Sequence, residues 1–531
     1  MLMIGITTPA TPVNALVTAG GTLRVNVAQA VGGKTVFGNL TVAGVVGAGF
    51  VTAYGCDDGI PKDSNGNISK ADLNYNGAVS AVSSNRLIVK ADNDGDICFY
   101  TLTKAEMIVD INGVTDTGVT AIPNQRTDTR TYLDPTLAGV GVESCQLLDQ
   151  AADRVAGESH ISTGFPVDTA NFESEGMFKI ALIPIDFDDF EGNTADIDDA
   201  VRHSEMVSDW YAMVSDGRVT IDWEIHDSLI RVPYNLRDFA LDRSSNDDRL
   251  ARVAFEAADP FIDFTDVRAA IFLLPRAQES IAEGTQAFLL DTSFGYEGGY
   301  RSEEGPVYNF AIGGAYWERP SKEIWSYWAH EMGHMFALPD LYDKRSQWWN
   351  GVDLEIPVGL FSTFDMMATQ DGPSRTLSTW LRFMMGWLDE TQVLCLDRDN
   401  SLNGEVTLVH TDADEPGIKS VMIPLDSKRV VVIESRRPND KFDCPASLSP
   451  WPGWRVMTGV LVFTADMTIG SQNAFQQLVV PEDRTLHSAP NCGGPPQLDA
   501  ILTPGDTVTV DGITISVTES GNYDRITITE N

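Results

Sequence analysis

The sequence predicts a multidomain chain in three parts: an N-terminal all-β domain, a central α/β (α+β) domain and a C-terminal β-sandwich. Three observations carry this. Between residues 17 and 135, short β-branched segments are separated by turn residues. From 176 to 395, strand-like and helix-like patterns alternate. After 396, helical periodicity stops and strand follows strand. At 531 residues the chain has room for several domains, and 43 % hydrophobic residues exclude global disorder.

Taken in order, residues 1–16 ("MLMIGITTPATPVNA" and the next residue) are short and apolar, with a small-residue pattern at Val13, Asn14 and Ala15. They fit a truncated signal-peptide remnant, which the cysteines favour, or a frayed N-terminus, since the basic n-region is missing. The segment 17–135 supplies "TLRVNV", "NLTVAG", "GFVTAYGC", "RLIVKA", "DICFYT" and "MIVDING" as strands. Two loops, Asp63–Asn67 and Asp92–Asp96, look like calcium loops. Neither continues to the terminal glutamate of an EF-hand, so both are expected as Asx/Gly turns. Residues 136–175 are mixed and polar, and read as a connector.

The central part, 176–395, opens with a continuous apolar strand, Ile180 to Ile185. Seven acidic residues follow between Asp186 and Asp199, and are expected as a solvated loop. A helix with Val201, Met206, Trp210 and Met213 inward should end near Gly217. The strand "VTIDWEI", the helix "NDDRLARVAFEAADP" and the buried strand "RAAIFLLP" come next. "YNFAIGG" (Tyr308–Gly314) fits an edge strand able to pair with an extended peptide, or an ordinary buried strand. In 396–531, "EVTLVH", "SVMIPL", "RVVVIESR", "GVLVFTA", "DTVTV", "ITISVTE" and "RITIT" form the sandwich.

A net charge of −39 argues against nucleic acid as a partner. No run of 18 or more apolar residues is present, so no transmembrane segment is expected. The six cysteines contain no C-x-x-C pair and suit disulfides in an oxidising compartment. Cys56–Cys98 and Cys444–Cys492 are the candidate local pairs, which leaves Cys145–Cys395.

Chemistry concentrates in "WSYWAHEMGHMFALPDLYD", residues 325–343. Ser321 is expected to cap a helix, with Glu323 in its first turn. His330 and His334, four residues apart, then share one helix face, with Glu331 beside them. This is H-E-x-x-H, in which two imidazoles hold zinc and the glutamate acts as general base. A catalytic zinc needs a third protein ligand. Six residues beyond His334, after Pro339 stops the helix, stands Asp340, the position of the third ligand in a metzincin-like arrangement. That arrangement has glycine three residues after the second histidine, where this chain has Ala337. Trp325, Tyr327 and Trp328 are expected in the core. Tyr342 and Asp343 suit either packing or outer hydrogen bonds to a ligand. His160, His203, His226, His410 and His487 lack ligand spacing.

"HEMGHMFALPDLYD", then "FDMM", then "LSTWLRFMMGWL" together resemble the immune-inhibitor-A-like secreted metalloproteases, peptidase family M6, over about residues 176–531. The resemblance implies a metzincin-like zinc protease domain. Its metal ligands would be His330, His334 and Asp340, its catalytic base Glu331, and Met367, ahead of Met366, the hydrophobic floor below the metal. It also implies secretion, protein or peptide substrates, and structural Ca²⁺ with unassigned ligands. The segment 17–135 resembles a β-domain of secreted actinobacterial proteins, in which the cysteines matching Cys56 and Cys98 pair. The expected function is a secreted zinc endopeptidase. Its rivals are a non-catalytic surface or adhesion protein and a metal-dependent hydrolase of non-peptide bonds.

Overall fold

The computed structural model describes residues 5–6, 13–45, 48–62, 68, 73–76, 82–115, 132–155, 161–168, 172–239, 247–276, 287–289, 299–313, 323–343, 361, 364–370, 372, 374–439, 441–443, 458–484 and 500–530. The chain divides into two compact units, Met1–Thr129 and Arg130–Asn531. The fold is β-rich, with several sheets and, among the described residues, four α-helices. No described helix is long and apolar enough to cross a membrane.

The first unit is built from two sheets. One is ordered Gly5–Ile6, Thr22–Val27, Asp96–Thr101, Ala48–Gly55, Leu73–Asn76; the other Val13–Val17, Ala105–Thr115, Thr35–Ala43, Val82–Lys90. Alternate residues such as Leu23, Val25 and Val27 enter a shared core with Leu40, Val42, Met107 and Val109. The Cys56–Cys98 disulfide ties the end of one strand to its neighbour. The Asp92–Asp96 loop is a turn closed by Asp92, whose Oδ1 accepts from the N–H groups of Asp94 (3.0 Å) and Asp96 (2.8 Å). The Asp63–Asn67 loop lies outside the described residues.

In the second unit a mixed sheet runs Val219–Ile225, Gly176–Phe187, Val267–Leu273, Asn309–Gly313, Ala287–Leu289, with Ile230–Val232 beside the far end of Gly176–Phe187. Only the Ala287–Leu289 pairing is antiparallel. Helices cover both faces. Ile180, Leu182, Ala269 and Ile271 pack under α1 (Ala195–Val214) and α3 (Ile324–Met335). Ala181, Ile183, Ala270 and Phe272 pack under α2 (Asp247–Ala258). Two covered faces explain why Ile180–Ile185 is apolar without alternation. The buried stripe of α1 follows Ala200, Ser204, Val207, Tyr211 and Val214; Val201, Met206 and Met213 are only half-buried. Asn309–Gly313 is an interior strand, because Ala287–Leu289 pairs along its other side.

A five-stranded sheet follows, ordered Val393–Cys395, Ser420–Pro424, Arg429–Arg436, Gly459–Asp466, Gln476–Leu478. One face meets a four-stranded sheet of Gly404–Leu408, Asp524–Glu530, Ile513–Glu519 and Thr507–Val510 through Val431, Ile433, Ile515 and Ile526. The opposite face, through Met422, Val432, Leu461 and Phe463, joins the core beneath α3 and the short α4 (Thr379–Met384). Residues 132–175 belong to the same unit. Leu137 enters the sandwich core, Leu147 and Phe172 enter the core under α3, and Cys145 is bonded to Cys395. Cys444 and Cys492 lie outside the described residues.

Candidate metal centre

Helix α3 holds the two histidines. Its N-cap is Glu323, with extended backbone; Ser321 lies outside the described residues. The Glu323 side chain does not cap the helix and pairs with Arg375 at 2.5 Å. The apolar face of α3 sinks into the core through Trp325, Tyr327, Trp328 and Met332. The Tyr211 hydroxyl donates to the Ala329 carbonyl at 2.7 Å, which fixes α1 against the turn carrying His330.

The helix stops in a Schellman turn. Leu338 N–H donates to the Gly333 carbonyl at 3.0 Å and Ala337 N–H to the His334 carbonyl at 2.9 Å. Ala337 sits at φ 67, the left-handed position that glycine fills at least cost. An alanine there costs about 1–2 kcal/mol, and the packed turn absorbs it. The chain leaves the helix in the direction that brings Asp340 back to the histidines.

His330, His334 and Asp340 form a group whose donor atoms lie within 4.8 Å of one another and which can hold a metal ion. His330 Nδ1 donates to the Met366 carbonyl and His334 Nδ1 to the Leu338 carbonyl, each at 2.9 Å. A carbonyl only accepts, so these bonds place the proton of each neutral ring on Nδ1 and leave Nε2 as a lone pair. Both Nε2 atoms face Asp340 Oδ1, at 3.2 and 3.4 Å. That oxygen is buried and has no hydrogen-bond donor among the described residues. Three electron-rich atoms facing one another require a proton or a cation between them. Donors about 2.0–2.1 Å from a tetrahedral ion stand about 3.3 Å apart, which is the separation of these nitrogens from Oδ1.

Without a cation the site draws in protons. Burial alone would lower His334, but the charge and hydrogen bonding of Asp340, with Glu331 behind, push it up to about 10. His330 is raised against its own burial by the same two carboxylates. Asp340 is held well below the carboxylate range by the two imidazoles, although burial opposes this. Glu331 and His334 are half-buried while His330 and Asp340 are buried, so the Glu331 side is the open side.

Met366 and Met367 divide their roles. The Met366 carbonyl orients His330. The Met367 side chain lies under Gly333, where an added Cβ would sit 2.8 Å from its Sδ. The Met367 carbonyl accepts from Leu341 N–H at 2.9 Å, next to Asp340. Asp365 braces this turn, accepting from Met367 N–H (2.7 Å) and Ser378 N–H (2.5 Å). Burial pushes Asp365 up to about 7.

Sequence reasoning missed the loop Ser471–Ala474. Asp340 N–H donates to Ser471 Oγ at 3.1 Å, and Gln472 Nε2 donates to Asp340 Oδ2 at 3.1 Å. Ala474 N–H reaches the Tyr342 carbonyl, and the backbones of Asp343 and Asn473 pair. No local pattern marks these residues, which stand more than 130 positions from Asp340. His203, His226 and His410 lie outside the cluster; His160 and His487 lie outside the described residues. No family model matches the chain, and no curated protein matches it.

Proposed function

We propose that the chain is a secreted zinc-dependent endopeptidase of the metzincin-like M6 type. The supporting observation is the buried, donorless Asp340 Oδ1 facing two imidazole lone pairs, with Glu331 beside them on the open side. The N₂O donor set suits zinc with one position left for a water. His330, His334 and Asp340 would hold the ion. Bound zinc supplies Lewis acidity, lowering the pKa of a water to about 7 and polarising a carbonyl.

The residues of the chain do the rest. Glu331 takes the proton of the attacking water as its oxygen bonds to the scissile carbon, then delivers it to the nitrogen as the C–N bond breaks. The two backbone carbonyls hold both rings in one tautomer, which keeps both Nε2 lone pairs available as ligands. The half-buried side of His334 and Glu331 is where an extended polypeptide would approach. Two disulfides, Cys56–Cys98 and Cys145–Cys395, support an extracellular setting.

The test is hydrolysis of casein or gelatin by the purified full chain. Activity should vanish with a chelator and return with zinc. Glu331→Ala should lower it by about 10²–10⁴-fold while metal stays bound. A protein that takes up zinc and cleaves neither substrate is not this peptidase.

A further inference from the structure

The two oxygens of Asp340 are treated differently. Oδ1 faces the imidazole nitrogens and has no donor among the described residues. Oδ2 accepts from Gln472 Nε2 at 3.1 Å. A carboxylate only accepts, so the amide must present its N–H end. Gln472 comes from the C-terminal five-stranded sheet, in the loop joining Gly459–Asp466 to Gln476–Leu478. It also grips Asp340 through the backbone, its own N–H donating to the Asp340 carbonyl at 3.2 Å.

This loop has a defined shape. Gln472 and Ala474 adopt φ 65 and φ 57, left-handed values that non-glycine residues take only where surrounding contacts hold them. Its stem is braced from behind. Val155 N–H donates to the Thr468 carbonyl at 2.9 Å, and Thr163 Oγ1 to the Ile469 carbonyl at 3.2 Å.

We propose that Gln472 is a positioning residue for the metal, and that it makes Asp340 a one-oxygen ligand. This rests on the metal-site reading above. A carboxylate with both oxygens free can chelate a cation through both. With Oδ2 bound to Gln472, only Oδ1 is presented, the protein supplies three donors, and one position stays open for water. Outer hydrogen bonds of this kind orient a ligand and tune its basicity. The C-terminal sheet is thereby part of the metal centre.

The experiment uses the metal-free full chain loaded with Co²⁺, whose visible bands are intense when four-coordinate and weaker when five-coordinate. Zinc affinity is measured alongside by chelator competition. Gln472→Met keeps the length and loses the donor. Gln472→Asn keeps an amide that tolerates the left-handed backbone but is one methylene too short. Both should weaken the Co²⁺ bands and lower zinc affinity by about 10–100-fold, with the metal-free protein still folded, as its circular dichroism and cooperative unfolding would show. Wild-type spectra and affinity in both variants would overturn the role of Gln472 and leave the metal centre standing. A wild-type chain that takes up neither metal would overturn both.

Discussion

The acid-rich stretch Asp186–Asp199 and the His330–Asp340 segment both concentrate charged groups against the same sheet, yet they satisfy them in opposite ways. Asp186 receives Arg231 through Nε (2.6 Å) and Nη2 (2.9 Å). Asp196 and Asp199 share Arg276, at 3.0 and 2.8 Å. Asp189 accepts from Leu236 N–H at 2.6 Å. These carboxylates have protein cations or amides and require no ion. At Asp340 the neighbours are two imidazole lone pairs, and the buried Oδ1 has no donor among the described residues. Density of acidic residues therefore does not by itself point to a metal; donors that converge without a protein cation among them, as in the His330–His334–Asp340 group, can hold one.

The contrast has a pH signature, which is the largest effect expected. Asp199 is held low by hydrogen bonds from Arg276 and Arg202, against the raising effect of burial. Its contribution to stability is present above the ordinary 3.8 and is lost as the pH falls. His334 runs the other way. Burial lowers it, but Asp340 and Glu331 raise it to about 10 from an ordinary 6.5. Its contribution is complete below pH 6.5 and is lost as the pH rises through about 10. The urea midpoint of the metal-free protein should fall between pH 7 and pH 10, and zinc should remove that slope by taking the place of the proton. A midpoint equally steep with and without zinc would break the contrast.

A smaller effect is expected at the turn that joins the histidines to Asp340. Relieving the left-handed strain at Ala337 (φ 67) should return about 1–2 kcal/mol, of which the extra freedom of unfolded glycine takes back about 0.5–1. Ala337→Gly should therefore stabilise by about 0.5–1 kcal/mol in denaturant unfolding and leave metal affinity unchanged. A loss of stability would mean that the turn is not strained.

The histidine pair was legible because a helix brings residues four apart to one face, and Asp340 because it follows closely once Pro339 forbids further helix, although the helix itself already stops at the Ala337 turn. The two-sided burial of the central sheet was legible in the unbroken run Ile180–Ile185. What escaped was non-local. Ser471 and Gln472 reach Asp340 only after the five-stranded sheet has packed beneath α3. Cys145 and Cys395, separated by 250 residues, could be paired only by elimination. Tyr308–Gly314 fitted an edge strand or a buried one, and the choice between them rests on a distant neighbour, Ala287–Leu289, only three residues long. Glu323 looked like a first-turn residue; it is the N-cap, and its partner Arg375 stands 52 positions away.

The most direct measurement is zinc stoichiometry and affinity on three full-length proteins: wild type, Asp186→Asn and Asp340→Asn. Wild type and Asp186→Asn should each take up about one zinc per chain. In Asp340→Asn, which keeps the side-chain shape and loses the charge, affinity should fall by more than the about 10–100-fold typical of removing an outer hydrogen bond. Equal zinc affinity in wild type and Asp340→Asn, or no zinc in wild type, would contradict a metal centre at His330, His334 and Asp340.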